Sequence, residues 1–252
     1  MLLRTVGVVK RAVGVVKRVV EEGAPVGRRV FLGILGLGAA GVVTGAAVQG
    51  WLERNVAPII GRDPTGLLAL LPIGRFRIYT VTGGLPERSR ASYRLRVHGR
   101  VERELDLSFN DLLAIPPTEL VRDFQCVTGW RVPDVPWKGV RLRDILDRAG
   151  VLDDGDAVRF VSFDGAYSES LTLSQARRND VMVAYELEGE PLSSAHGGPA
   201  RLYVAPMYGY KSLKWLQSIE VTRRVVPGYW EQRGYDVDGW VGRSNGRDDD
   251  PT

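Results

Sequence analysis

Cys126 is the only cysteine in 252 residues, and it stands in the most unusual stretch of the chain, DFQCVTGWRVPDVPW over residues 123–137. A lone cysteine forms no disulfide within its chain, which leaves three chemistries: buried spectator, nucleophile or metal ligand. The chain has two histidines, His98 and His196. One cysteine and two histidines argue against a tetrahedral zinc site. A thiol hydrolase needs one of those histidines beside Cys126, and the local signatures of cysteine proteases are absent. Arg122, Phe124 and Cys126 alternate, so on a strand they face one side. There Arg122 either helps to bind an oxyanion or pairs with an acid.

The elements that must hold these residues follow from periodicity. Alternation over 93–97 and 104–107 reads as two strands, and 120–127 as a third that breaks at Thr128–Gly129. A short helix is expected over 110–114. Leu142, Ile145, Leu146 and Ala149 have helical spacing, with Gly150 as the C-terminal cap. Further strands are expected at 157–163, 181–186, 201–205 and 218–222. Strand-rich, with short helices and no regular βαβ alternation, the chain predicts an α+β domain over residues 93–226 and excludes a doubly wound nucleotide fold. No phosphate-binding glycine loop, dinucleotide fingerprint, His-Glu-x-x-His or Cys-x-x-Cys is present.

The net charge of +4 belongs to an arm. Residues 1–29 carry seven Lys/Arg and two Glu, so the remainder sums to −1, which excludes a nucleic-acid-binding domain on charge. Within the arm VGVVKR occurs at 6–11 and again at 13–18. As a helix it suits an anionic membrane surface, and otherwise it is the solvated start of a signal. Residues 30–51 carry no charge and are long enough to cross a bilayer. Arg28-Arg29 followed by Val30-Phe31-Leu32 is similar to a twin-arginine export signal, and an ordinary anchor flanked by arginines is the other reading. Either places the following domain outside the cytoplasm, anchored or released by cleavage. Residues 52–92, broken by Pro and Gly, read as tether and wrap, and 227–252 as a tail.

Several motifs then occur in a recognisable order. They are FQCVTGW at 124–130, VP at 132–133, Trp137, GVRLRDIL at 139–146, SFDG at 162–165 with Tyr167-Ser168, GEPL at 189–192, HGGPARL at 196–202 and PMYGYKSLKWL at 206–216. Together they resemble the molybdopterin-binding domain of the sulfite oxidase superfamily over about residues 93–224. The bacterial exported enzymes are most similar, including the catalytic subunit of the periplasmic protein-methionine-sulfoxide reductase. The resemblance implies a sulfite-oxidase-like fold and a molybdenum–molybdopterin cofactor.

It also implies roles for residues. Cys126 is the protein's thiolate ligand to the metal, which suits a soft two-electron centre. Arg122 and Tyr208 join it at the reacting centre. Thr128, His196, Arg201, Gly209, Lys211, Ser212 and Lys214 hold the cofactor, with glycine for close approach and hydroxyl and cations for its phosphate. Trp130 and Trp137 pack at the rim, and Asp164 and Tyr167 are candidates to line the site. The expected activity is two-electron oxygen-atom transfer on a small oxo-compound, sulfoxide or sulfite-like, in the reducing direction. The 28 residues after Arg224 are too few for the cytochrome and immunoglobulin-like domains of the animal enzymes. The expected electron partner is therefore a separate membrane haem or quinone-linked subunit. The alternative is a cofactor-free interaction or scaffold module on the same fold.

Overall fold

A computed structural model describes residues 76–251. The basic arm, the apolar segment and most of the tether lie outside the described residues. The chain divides into two units, residues 1–85 and 86–252. Of the first, residues 76–85 are described and hold no helix or named strand. The second carries both sheets, and no described helix is long and apolar enough to cross a membrane.

Alternation does what it predicts in β1 (Arg94–Gly99), where Leu95 and Val97 are fully buried and Arg94 and Arg96 are exposed. β1 pairs antiparallel with β2 (Leu105–Ser108) and parallel with β10 (Leu216–Thr222). β5 (Ala157–Ser162) and β6 (Ser168–Thr172) complete a sheet in the order β2-β1-β10-β5-β6. The second sheet runs β3 (Thr118–Gln125), β4 (Arg131–Arg141), β7 (Val181–Leu187) and β8 (Glu190–Pro191), with β9 (Arg201–Val204) also on β7.

Three short helices are present among the described residues. α1 (Phe109–Leu113) starts with a capping box between Ser108 and Asp111, and α3 (Leu173–Ala176) with one between Thr172 and Gln175. α2 (Leu142–Ala149) buries Leu142, Ile145, Leu146 and Ala149, the four positions its spacing selects, and ends at Gly150 with φ 70°. These side chains join one continuous core with Leu95, Val97, Phe160, Val183, Leu202 and Ile219.

Three strands were not legible: β4, β6 and the two-residue β8. β4 contains Pro133 and Pro136, which argue against a strand that is paired on both sides. The structure resolves this by starting the β4–β7 ladder at Trp137, so both prolines lie before it and neither is asked to donate a backbone N–H to β7. β6 hides its burial under polar residues, because Glu169 and Ser170 are both buried.

Candidate functional site

β3 delivers Cys126 to the site. The chain turns immediately after the strand, with Cys126 N–H donating to the Trp130 carbonyl at 2.9 Å and Gly129 N–H to the Cys126 carbonyl at 2.9 Å. This turn leaves the thiol half-buried, with its Sγ 3.2 Å from Thr128 Oγ1. As a metal ligand Cys126 would be a thiolate, which can only accept, and the Thr128 hydroxyl would then be the donor of this bond. Phe124 stacks on Trp130 at 5.7 Å, and Trp137 stacks on Tyr203 at 4.2 Å, so both tryptophans pack the wall as expected.

A second part of the site is built where the 193–198 loop meets the 212–215 segment. Trp215 N–H donates to the Gly197 carbonyl at 3.1 Å, and Trp215 Nε1 to the Ser194 carbonyl at 2.8 Å. Gly197 has φ +94°, and a Cβ there would lie 2.9 Å from Lys214 Cα, so only glycine allows this approach. The contact gathers Arg201, Lys214 and His196. Arg201 is 2% exposed and donates to the His196 carbonyl at 2.9 Å and the Ser212 carbonyl at 2.8 Å. Its guanidinium lies over the rings of Phe124 and Trp137 at 5.6 and 5.5 Å, beside the strand that leads to Cys126. Lys214 Nζ donates to the Ala195 carbonyl at 2.8 Å.

Electrostatics mark this cluster as a place for an anion. Burial brings the Arg201 pKa down to about 10, and among the described residues no carboxylate pairs with it. Burial, then the neighbouring Arg201 charge, brings Lys214 down to about 7. Burial, then Arg201 and Lys214, brings His196 down to about 4. Three positive or potentially positive groups repel one another in a low-dielectric place, and an incoming phosphate relieves that repulsion. Close by, Phe163 N–H donates to the Trp215 carbonyl at 2.8 Å, and the next residue, Asp164, has a buried Oδ2 with no hydrogen-bond partner. That oxygen suits a ligand N–H. Among the described residues no cluster of three His, Cys, Asp or Glu could hold a metal, so a metal at Cys126 needs most of its ligands from a bound molecule. Thiolate, buried cations, spare acceptor and glycine clearance therefore fit one large anionic cofactor that carries its own metal ligands.

Other expected residues fall elsewhere or do other work. Lys211 is buried and does not reach the cluster. Its Nζ is held by Glu169, by Glu231 at 2.7 Å, and by the carbonyls of Ser170 at 2.8 Å and Val237 at 2.9 Å. Four acceptors saturate three N–H bonds, so Lys211 is a buried ion-pair hub instead of a phosphate ligand. Burial above all holds Glu169 well above the usual carboxylate range, with the Lys211 charge opposing it. Ser212 braces the cluster: its Oγ accepts from Val204 N–H at 3.0 Å, while its carbonyl takes Arg201. Gly209 makes room for Phe124, whose ring a Cβ would meet at 2.5 Å. The Tyr167 hydroxyl donates to the Tyr210 carbonyl at 2.7 Å. Tyr208 is buried, donates its hydroxyl to Asp249 at 2.8 Å, and is pushed up to about 12 mainly by burial.

Arg122 stands apart from Cys126. A bulge places one extra β4 residue between the Arg122–Val135 and Phe124–Val132 pairs, and Asp134 there has φ 51°. A bulge bends the bulged strand, here β4, and increases the local twist. Phe124 is buried while Arg122 is exposed and donates to the Val121 carbonyl at 3.0 Å.

Sequence reasoning missed Tyr235 and Arg131. Tyr235 packs with Tyr208, Tyr210 and Val127, and its pKa is raised by burial and then by the Cys126 thiolate beside it. Arg131 pairs in register with Gln125 and is fixed by Gln125 Oε1 at 2.6 Å and Asp123 at 3.4 Å. Tyr235 lies 109 residues after Cys126, in a stretch read as a tail, and no spacing rule signals such a contact.

Comparison with known proteins agrees with this geometry. Residues 82–230 match the family described as oxidoreductase molybdopterin binding domain. The chain is 37% identical over 159 residues to an uncharacterized oxidoreductase, YuiH, of Bacillus subtilis, covering 63% of this chain and 80% of the relative. It is 31% identical over 199 residues to a putative protein-methionine-sulfoxide reductase subunit, YedZ1, of Azospira oryzae, covering 78% and 72%. The crystal structure of the sulfane dehydrogenase SoxCD from Paracoccus pantotrophus superposes with a TM-score of 0.54 at 27% identity, covering 58% of this chain and 42% of that one. The thiolate at Cys126 and the anion cluster at Arg201 thus sit in a chain that belongs to the molybdopterin-binding oxidoreductases of the sulfite oxidase family.

Proposed function

We propose that this enzyme is membrane-associated, works on the extracytoplasmic side, and removes an oxygen atom from a small sulfur oxo-compound, a sulfoxide in preference to sulfite. The observation that carries the reading is the juxtaposition of Cys126 with the half-buried phenol of Tyr235, next to the stacked rings of Phe124 and Trp130. The likeness to a protein named as a methionine-sulfoxide reductase subunit supports the choice of sulfoxide. The charge-free segment 30–51 after Arg28-Arg29 supports export and anchorage.

When bound, the cofactor supplies a metal that exchanges two electrons and one oxygen atom. Cys126 would contribute its thiolate sulfur to that metal, His196, Arg201 and Lys214 would hold the cofactor's phosphate, and the unpartnered Asp164 oxygen would accept from a cofactor N–H. Reducing a sulfoxide to its thioether and one water consumes two electrons and two protons. Tyr235, kept protonated by burial, holds a proton at its hydroxyl for the departing oxygen. Arg131, anchored by Gln125 and Asp123, keeps a positive charge at the start of β4 that favours a polarised sulfur–oxygen bond. The electrons come from a separate membrane haem or quinone-linked subunit.

Activity assays with the loaded enzyme decide the direction. Reduced viologen should be oxidised on addition of methionine sulfoxide, with kcat lowered at least tenfold in Tyr235→Phe. Sulfite oxidation at a higher kcat/KM than sulfoxide reduction would overturn the reading.

A further inference from the structure

Arg122 lines a cavity to which Cys126 does not contribute. Arg122, Arg141, Arg143, Arg177, Arg178 and Asp180 line a space of about 530 Å³ between β3, the start of α2 and the loop from α3 to β7. None of His196, Arg201 or Lys214 contributes to it. We propose that this arginine-lined cavity is a second anion site, separate from the cofactor's, that binds a phosphate-bearing ligand with at least two negative charges.

Charge balance argues for it first. Three of the five guanidiniums have carboxylate partners: Arg143 with Asp144 at 3.5 Å, Arg177 with Asp147 at 2.6 Å and Arg178 with Asp180 at 2.7 Å. Arg122 and Arg141 have no carboxylate partner among the described residues. The only acid in the lining, Asp180, is gripped by both Nε and Nη2 of Arg178. Two positive charges are therefore left over at one cavity, in a chain that sums to −1 outside its first 29 residues.

Hydrogen bonding argues for it next. Arg141 Nε is buried and has no hydrogen-bond partner. Such orphaned donors are rare in folded proteins and point to a missing acceptor. Arg143 is held toward Asn179 Oδ1, so its guanidinium is oriented by the loop instead of being free in solvent. Planar guanidinium forks match the paired oxygens of phosphate groups. Leu120 is the one apolar side chain of the lining, which leaves little for an apolar ligand to bind. The volume falls in the range of small-molecule and headgroup pockets, roughly 300–1,000 Å³.

Inorganic pyrophosphate is the probe, titrated calorimetrically into the full chain loaded with molybdenum cofactor, so that the cofactor's own anion cluster is filled. One equivalent should bind at low salt, at least tenfold more weakly to Arg122→Gln, and unchanged to the control Arg159→Gln outside the cavity. In the wild type, pyrophosphate should also protect Arg122 and Arg143 from phenylglyoxal, as read by peptide mass, and leave Arg159 unprotected. No binding at millimolar pyrophosphate, or binding that neither Arg122→Gln nor the footprint registers, overturns the site. Phosphatidylglycerol vesicles then identify the source of the phosphate. If pyrophosphate displaces the wild type from the vesicles more readily than Arg122→Gln, the ligand is a lipid headgroup. If vesicle binding ignores both, it is a free phosphate compound.

Discussion

A buried guanidinium whose hydrogen-bond acceptors are all carbonyls is an expensive arrangement, and Arg201 shows what it is for. Its donors orient the loop carrying His196 and the segment carrying Ser212, while its charge waits for an anion. Arg201→Met should orphan two carbonyls, cost about 1–3 kcal/mol for each in urea unfolding, and leave the purified protein depleted of cofactor. Normal cofactor content would exclude Arg201 from the phosphate site. pH tests the same cluster. Folded His196 titrates at about 4 and Lys214 at about 7, both below their unfolded values, so the unfolded chain binds each proton more tightly. Cofactor-free protein should therefore gain stability as pH rises from about 4 to 6.5 through His196, and from about 7 to 10.5 through Lys214. In calorimetric melts the upper rise should vanish in Lys214→Met, and a wild-type Tm that falls across that window would contradict the burial of Lys214. The sequence could not separate Lys211 from Lys214. They are three residues apart and look alike, and what distinguishes them is Glu169 and Glu231, which lie 42 and 20 residues from Lys211.

Elements were legible in proportion to how cleanly their burial followed a period. In α2 four apolar side chains at helical spacing meet one core, and both the helix and its Gly150 cap could be read. Leu146→Ala there should cost about 2–5 kcal/mol in denaturant unfolding, because a fully buried side chain leaves a cavity; a loss under about 1 kcal/mol would mean the helix packs loosely. β4 was hidden by prolines that its half-paired geometry tolerates, and β6 by the buried Glu169 and Ser170. The bulge between β3 and β4 was hidden too. Beside it, Arg122 lines an arginine-rich cavity to which Cys126 does not contribute. The 208–215 motif was read as cofactor-binding, and in the structure its glycine packs on protein. Gly209→Ala should push the Phe124 ring, 2.5 Å from the new Cβ, into the wall beside Cys126. It should lower cofactor content at unchanged secondary structure by circular dichroism, and full loading would show that the ring moves freely.

At the scale of the whole molecule, the segment read as a tail closes the site. Glu231 and the Val237 carbonyl tie it to buried Lys211, Asp249 takes the Tyr208 hydroxyl at 2.8 Å, and the Asp250 carbonyl accepts from Arg131. These anchors bring Tyr235 against Cys126 from far along the chain. Removing residues 246–252 should speed alkylation of Cys126 in cofactor-free protein several-fold, since Gly129 would lose the Arg247 guanidinium that packs on it. An unchanged rate would mean the segment does not cover the thiol. The fold class and the order of the motifs were readable because they are local. The closure was not, because it rests on ion pairs and hydrogen bonds between distant segments that carry no periodic signal. All these scales converge on one sulfur. X-ray absorption at the molybdenum edge counts the sulfur ligands of the loaded enzyme directly. Three are expected in the wild type, two from the cofactor and one from Cys126, falling to two in Cys126→Ser; the same sulfur count in both proteins would contradict a metal held by this thiolate.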